Sequence, residues 1–171
     1  NFPFYFQKTP TIRLHCPESK GTSPYPRYHC DIGYGHPPQE VNLWMPLTSP
    51  FKVQKHGFRV MDFDNSKKIL SKYNYDFSDF ITDVIQKNDL NQHFHEFAPQ
   101  VDTILGETLA FDSRCMHTGE ALNFHTRVSI DVRIIPIASF EKEIYLFQGT
   151  GKMKSFYSPG DGYSEIASDL L

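Results

Sequence analysis

The stretch RVSIDVRIIPI occupies residues 127–137. It is long and rich in Val and Ile, the composition of a β-strand. A regular strand sends alternate side chains to opposite faces, so Arg127, Ser129, Asp131 and Arg133 are expected on one face. Two arginines and an aspartate pointing inward are costly to bury unless paired. That face therefore signals either a structural Arg133–Asp131 pair or a contact with a polar substrate.

The rest of the chain reads as further short strands. Thr11-Ile12-Arg13-Leu14-His15-Cys16 alternates polar and apolar residues, with Thr11, Arg13 and His15 on one side and Ile12, Leu14 and Cys16 on the other. The opening NFPFYF is expected to be extended. Strands are also expected over Arg27–Asp31, Glu40–Leu47 and Thr108–Asp112, with Pro46 marking an edge, a bulge or a strand end. One stretch is convincingly helical: Phe77, Phe80, Ile81, Val84 and Ile85 recur at three-and-four spacing, with Asp76 or Ser78 as the cap. A short helix is weighed at Phe140–Leu146, and the last 25 or so residues read as irregular. PESKGTSPYP and Gly33–Pro38 are loops by composition.

The bulk properties agree with one β-dominated domain over residues 1–171. The chain has 39% hydrophobic and 22% charged residues, and its 12 Pro outnumber its 10 Gly. Such a mixture suits short strands joined by stiff loops better than a helical bundle. A net charge of -3 gives no electrostatic footprint for nucleic acid. No apolar run reaches membrane-spanning length, and the N-terminus shows no basic-then-apolar signal pattern. It also lacks an initiator Met, consistent with trimming or processing. Cys16, Cys30 and Cys115 are an odd number without CxxC spacing, expected to be reduced, mostly buried thiols of a cytoplasmic protein. Oligomeric state cannot be read from these properties.

Chemistry concentrates at His29-Cys30-Asp31. On a strand, residues two apart share a face, so His29 and Asp31 can aim at one point while Cys30 faces away. An HxD tripeptide alone is weak evidence. It gains weight from the run Gly106-Glu107-Thr108-Leu109-Ala110-Phe111 leading to His117, and from Arg127-Val128-Ser129 beyond. One carboxylate and two imidazoles form the ligand set that leaves adjacent positions open on Fe(II). A fixed guanidinium grips a carboxylate through two parallel hydrogen bonds, and a neighbouring hydroxyl adds a third.

On these residues the chain resembles the iron(II)/2-oxoglutarate-dependent dioxygenase superfamily. The series Gly106, Phe111, His117, Asn123, Arg127 and Ser129 resembles its phytanoyl-hydroxylase-like branch. The blocks TPTIRLH, YHCDIGYGHPPQEVNLWMPLT and RVSIDVRIIP are similar to oxygenases of antibiotic-sugar tailoring, of the orthosomycin and streptomycin kind. The resemblance implies a mainly β fold: a double-stranded β-helix, a cupin-like jelly roll with one or two flanking helices. It implies His29, Asp31 and His117 as ligands of Fe(II), Arg127 and Ser129 as holders of the distal carboxylate of 2-oxoglutarate, and O2 as the oxidant. Asn42 would hydrogen-bond the co-substrate, or else satisfy a bend in its strand. Trp44, on the same face, reads as core or pocket wall. Asp31 stands where halogenating relatives carry a small residue, which favours oxygenation or dehydrogenation.

Arg13, His15, Tyr34 and Arg133 are the remaining pocket candidates, with Arg13, Tyr34 and Arg133 the expected contacts of a small-molecule substrate. His125 competes for the third ligand position, but the Gly-to-Phe-to-His run favours His117. His36, His56, His93 and His95 have no partner at metal spacing and are expected in loops or at the surface. GTGK at 149–152 lacks the flanking residues of a phosphate loop and reads as a turn. The rival readings are a cupin-type metalloenzyme that uses no 2-oxoglutarate and a small-molecule-binding barrel without activity.

Overall fold

The 127–137 run forms β7 (Arg127–Pro136), the strand around which the other long strands assemble. The structure, a computed structural model, describes residues 3–7, 9–17, 27–34, 36, 38–49, 57–73, 77–120, 125–137 and 163–165. Burial along β7 alternates strictly, and the polar members Arg127, Ser129, Asp131 and Arg133 are the buried ones. The strand is therefore polar inside and apolar on its half-buried outer face, the reverse of an ordinary two-layer sheet. β2 (Thr11–His15) follows the rule only in part: His15 is buried and Ile12 and Leu14 are 70% and 57% exposed, but Arg13, on the face of His15, is exposed as well.

β7 pairs antiparallel with β2, with β3 (Val41–Pro46) and, towards its far end, with β1 (Phe4–Gln7). β5 (Leu109–Asp112) extends the sheet beyond β3, and β8 (Tyr163–Glu165) extends it beyond β1. Pro46, without an N–H to donate, is the last residue of β3. A smaller sheet is made by β4 (Phe58–Val60) and β6 (His117–Gly119). Its outer positions are single bridges, His29 to His117 on one side and Arg59 to Gln100 on the other.

Along the chain, β2, β3, β5 and β7 belong to the larger sheet, and His29, β4, Gln100 and β6 to the smaller. The resulting orders, β5-β3-β7-β2 and His29-β6-β4-Gln100, are those of a jelly roll, with the chain crossing repeatedly between two facing sheets. The fold is a double-stranded β-helix.

Three helices flank it among the described residues: α1 (Phe63–Lys72), α2 (Phe77–Gln86) and α3 (Asn88–Phe94). α2 matches the expected helix; of its cap candidates, Asp76 lies outside the described residues, and Ser78 is already within the helix, its side chain not among the described ones. α1 and α3 exceed the one or two helices expected. Asp62 caps α1 by accepting from the Asn65 N–H at 2.8 Å. The inward face of α1 is Ser66, Ile69 and Leu70, and the Ser66 hydroxyl accepts from the Met116 N–H at 2.9 Å. This contact ties the helix to the approach to His117. The helices and the back of the smaller sheet share one apolar cluster that includes Tyr28, Met61, Leu70, Phe80, Phe94 and Met116.

Two sequence expectations need correction. Residues 27–31 are not a continuous strand: only His29 bridges, and Asp31 opens a 3-10 turn, Asp31–Tyr34, closed by the Gly33 N–H to the Cys30 carbonyl at 3.0 Å. Within the last 25 or so residues, expected to be irregular, Tyr163–Glu165 is a strand. His36, expected in a loop or at the surface, does lie in a loop, but a buried one, 4% exposed. The helix weighed at 140–146, the GTGK turn and His56 lie outside the described residues. Cys30 and Cys115 are buried thiols and Cys16 is exposed. No helix among the described residues is long and apolar enough to cross a membrane.

Candidate metal and co-substrate site

His29 and His117 face each other across the smaller sheet, exchanging backbone hydrogen bonds of 3.1 and 2.8 Å. Their rings lie 4.3 Å apart, centroid to centroid. Each ring is oriented by the backbone two residues before it: Nδ1 of His29 sits 3.0 Å from the Arg27 carbonyl, and Nδ1 of His117 sits 3.0 Å from the Cys115 carbonyl. A carbonyl can only accept, so Nδ1 carries the proton in both rings and Nε2 keeps its lone pair. Asp31 comes from the turn, anchored by its N–H to the Ser113 carbonyl at 3.0 Å. Its Oδ1 lies 3.6 Å from Nε2 of His117. One ligand atom from each of His29, Asp31 and His117 falls within 4.8 Å of the other two. The three side chains singled out in the sequence do come together, with Asp31 arriving from a turn and not from a strand.

The protonation states suit a divalent ion. Burial, then the neighbouring His117, lowers His29 to about 3, and burial lowers His117 as well. Both imidazoles are therefore neutral near pH 7. Burial alone would raise Asp31, but His117, Arg133 and His36 outweigh it and hold the carboxyl below its usual range. Two neutral imidazoles and a carboxylate, oriented by backbone carbonyls behind them, fit an open ferrous site.

The same cavity is lined by Asn42 and Arg127 and walled by Trp44, Phe58 and Phe111. Trp44 and Phe58 stack at 4.7 Å, and the Arg127 guanidinium lies 5.9 Å from each ring. Arg127 is 1% exposed; its Nη1 donates to the Gly57 carbonyl at 2.8 Å. Burial, reinforced by Arg13, lowers its pKa to about 10. A cation so poorly solvated gains from an anionic ligand. Asn42 is 3% exposed, and neither atom of its amide has a hydrogen-bond partner. It therefore does not satisfy a strand bend; its amide borders the cavity. Ser129 is fully buried with an unpartnered Oγ, and it does not line the cavity.

Arg13, His15, Asp131 and Arg133 complete the wall. The expected Arg133–Asp131 pair is only a 3.8 Å approach. Asp131 is held instead by Arg13, from Nε at 2.7 Å and Nη2 at 3.1 Å, because β2 places Arg13 opposite Ser129, beside Asp131. Arg133 turns to Asp31, with Nη2 and Nε at 3.1 and 3.2 Å from Oδ2. Tyr34 lies in the turn after Asp31; its side chain is not among the described ones. His125 is absent from the triad and from the cavity wall. Sequence reasoning missed two residues. Glu40 carries no motif. Gly119 does carry a signal, a glycine in a strand two residues past His117: a Cβ there would lie 2.8 Å from the His15 ring and 3.3 Å from Arg127 Nη2.

No family model matches the chain. Over 139 residues, 80% of its length, it is 40% identical to the streptomycin biosynthesis protein StrG of Streptomyces griseus. The chain is similar to a protein of antibiotic biosynthesis. It spans about half of StrG, 49%. This similarity agrees with the antibiotic-tailoring resemblance carried by the sequence blocks. Among solved structures, the non-heme alpha-ketoglutarate-dependent epimerase SnoN from nogalamycin biosynthesis aligns with a TM-score of 0.48 at 15% identity, over 79% of this chain and 48% of that one.

Proposed function

We propose that the chain is an iron(II)- and 2-oxoglutarate-dependent oxygenase that oxidises a C–H bond of a small, polar, carbohydrate-like metabolite. The observation that carries this reading is the His29, Asp31, His117 cluster sharing one cavity with the buried Arg127. Ferrous iron bound there supplies oxygen activation coupled to decarboxylation of 2-oxoglutarate. The protein's own task is positional. His29, Asp31 and His117 would hold the ion, each offering one ligand atom. Arg127 binds the distal carboxylate of 2-oxoglutarate in a pocket that Trp44 and Phe58 keep dry, where a charged hydrogen bond is strong. Asn42 offers its unpartnered amide to the same ligand. Arg13 and Asp131, paired at the wall, face the small-molecule substrate. Residues 1–171 act as one domain of this enzyme, working in the cytoplasm.

A cupin-type metalloenzyme would need no buried guanidinium opposite its ligands, and a binding barrel would need no oriented imidazoles. The test is succinate formation from 2-oxoglutarate under oxygen with added Fe(II), across a panel of sugars and aminosugars. Succinate release that depends on iron and is lost in His117→Ala supports the reading. Equal release by the variant overturns it.

A further inference from the structure

One oxygen of the ligand carboxylate is already occupied from within the protein. Arg133 donates to Asp31 Oδ2 from both Nε (3.2 Å) and Nη2 (3.1 Å), whereas Oδ1 faces His117 Nε2 at 3.6 Å. The guanidinium is held from behind. Its Nε lies 3.6 Å from Glu40 Oε1, and its Nη1 donates to Gln7 Oε1 at 3.4 Å. Glu40 is in turn fixed by His36, whose Nδ1 lies 2.8 Å from Oε2. Glu40 is completely buried, and His36, Asp31 and Arg133 are 4%, 3% and 8% exposed. Burying four ionisable groups costs more than an apolar patch of the same volume. The arrangement therefore calls for a role beyond stability.

We propose that Arg133 is a positioning residue of the metal centre: it takes Oδ2 of Asp31, so that the carboxylate meets the ion through Oδ1 alone. A carboxylate free to turn can bind with one oxygen or both. Two-oxygen binding would fill a position that a chelating co-substrate needs. Glu40 and His36 hold the guanidinium in the orientation that prevents it. The inference rests on the triad binding a metal, as proposed above.

Co(II), a stable stand-in for the ferrous ion, tests it by anaerobic titration of the full chain with visible spectroscopy. Arg133→Lys keeps the positive charge and removes the two-pronged grip. It is expected to weaken Co(II) binding about 10- to 100-fold, the usual effect of losing such a partner. The ligand-field spectrum is expected to change as Asp31 gains a second contact. Arg59→Lys serves as the structural comparison, since Arg59 pairs with Glu120 at 2.6 Å and neither residue lines the cavity. It should lower Tm and leave Co(II) affinity and spectrum unaltered. A folded Arg133→Lys that behaves like Arg59→Lys overturns the proposal. Should Arg133→Lys not fold, Glu40→Gln releases the guanidinium from behind; a smaller affinity loss with the same spectral change supports the proposal, and an unchanged spectrum overturns it. Failure of the unaltered protein to bind one Co(II) per chain would instead remove the metal site itself.

Discussion

Replacing Arg127 by Met separates ligand binding from folding. The guanidinium is 1% exposed and lies against the stacked Trp44 and Phe58 rings, 5.9 Å from each, so it is poorly solvated. Truncating one member of a buried charge pair costs about 2–5 kcal/mol of binding. At about 1.4 kcal/mol per tenfold, that weakens 2-oxoglutarate by roughly 30-fold to several thousandfold. The unliganded fold should change less. Met fills similar space, and its neutrality removes the desolvation that pulls Arg127 to about 10. Against this stand the lost Gly57 hydrogen bond at 2.8 Å and the ring contacts, leaving a net effect of about 1–2 kcal/mol in either direction. Calorimetric titration of 2-oxoglutarate into the Mn(II)-loaded protein, paired with chemical denaturation of the apoprotein, reads both quantities. A folded Arg127→Met that binds 2-oxoglutarate as tightly as the unaltered chain would refute the anchoring role.

Gly119→Ala would place a Cβ 2.8 Å from His15 and 3.3 Å from Arg127 Nη2; a loss of about 1–3 kcal/mol in stability with weaker 2-oxoglutarate binding is expected, read by denaturation and titration. Asn42→Leu removes an amide with no partner, so apoprotein stability should hold or rise while 2-oxoglutarate binding falls by about 1.5–3 kcal/mol; a stability loss with unchanged binding would make Asn42 structural. The pH profile follows from histidines buried in neutral form. His29 is lowered to about 3 and His15 to about 4, and His117 is lowered too, against about 6.5 when unfolded. Below that value the unfolded chain binds more protons, so apoprotein stability should decline as pH falls from 7.5 to 5, by up to about 1.4 kcal/mol per pH unit for each such histidine; a flat denaturation profile would contradict the burial of these rings.

What could be read from residues alone was whatever repeats at period two or stands at ligand spacing. β7 is long enough to show its alternation, and its inward polar face left open a structural Arg133–Asp131 pair or a contact with a polar substrate. The smaller sheet escaped because β4 and β6 are three residues each and its outer members are single bridges, too short for any periodicity. α1 escaped because its buried face contains Ser66, which looks polar in sequence but is spoken for by the Met116 amide. Asp31 was found for a partly mistaken reason: a turn delivers it where a strand was expected, and only its reach to His117 matters. The partners of Arg133 and Asp131 could not be assigned because one face held two arginines and one aspartate, and the choice lay with residues on other elements, Arg13 on β2 and Asp31 in the turn. Burial of His36 and Glu40 likewise depends on Arg133 arriving from a distant strand.

The central claim is that this cavity brings a ferrous ion and a 2-oxo acid together. Anaerobic addition of Fe(II) and 2-oxoglutarate to the full chain measures it directly, because keto-acid chelation of protein-bound ferrous iron produces a visible charge-transfer band. The account predicts a band that saturates at one iron per chain and disappears in His117→Ala. A colourless mixture with the unaltered protein, or an equal band with the variant, would contradict it.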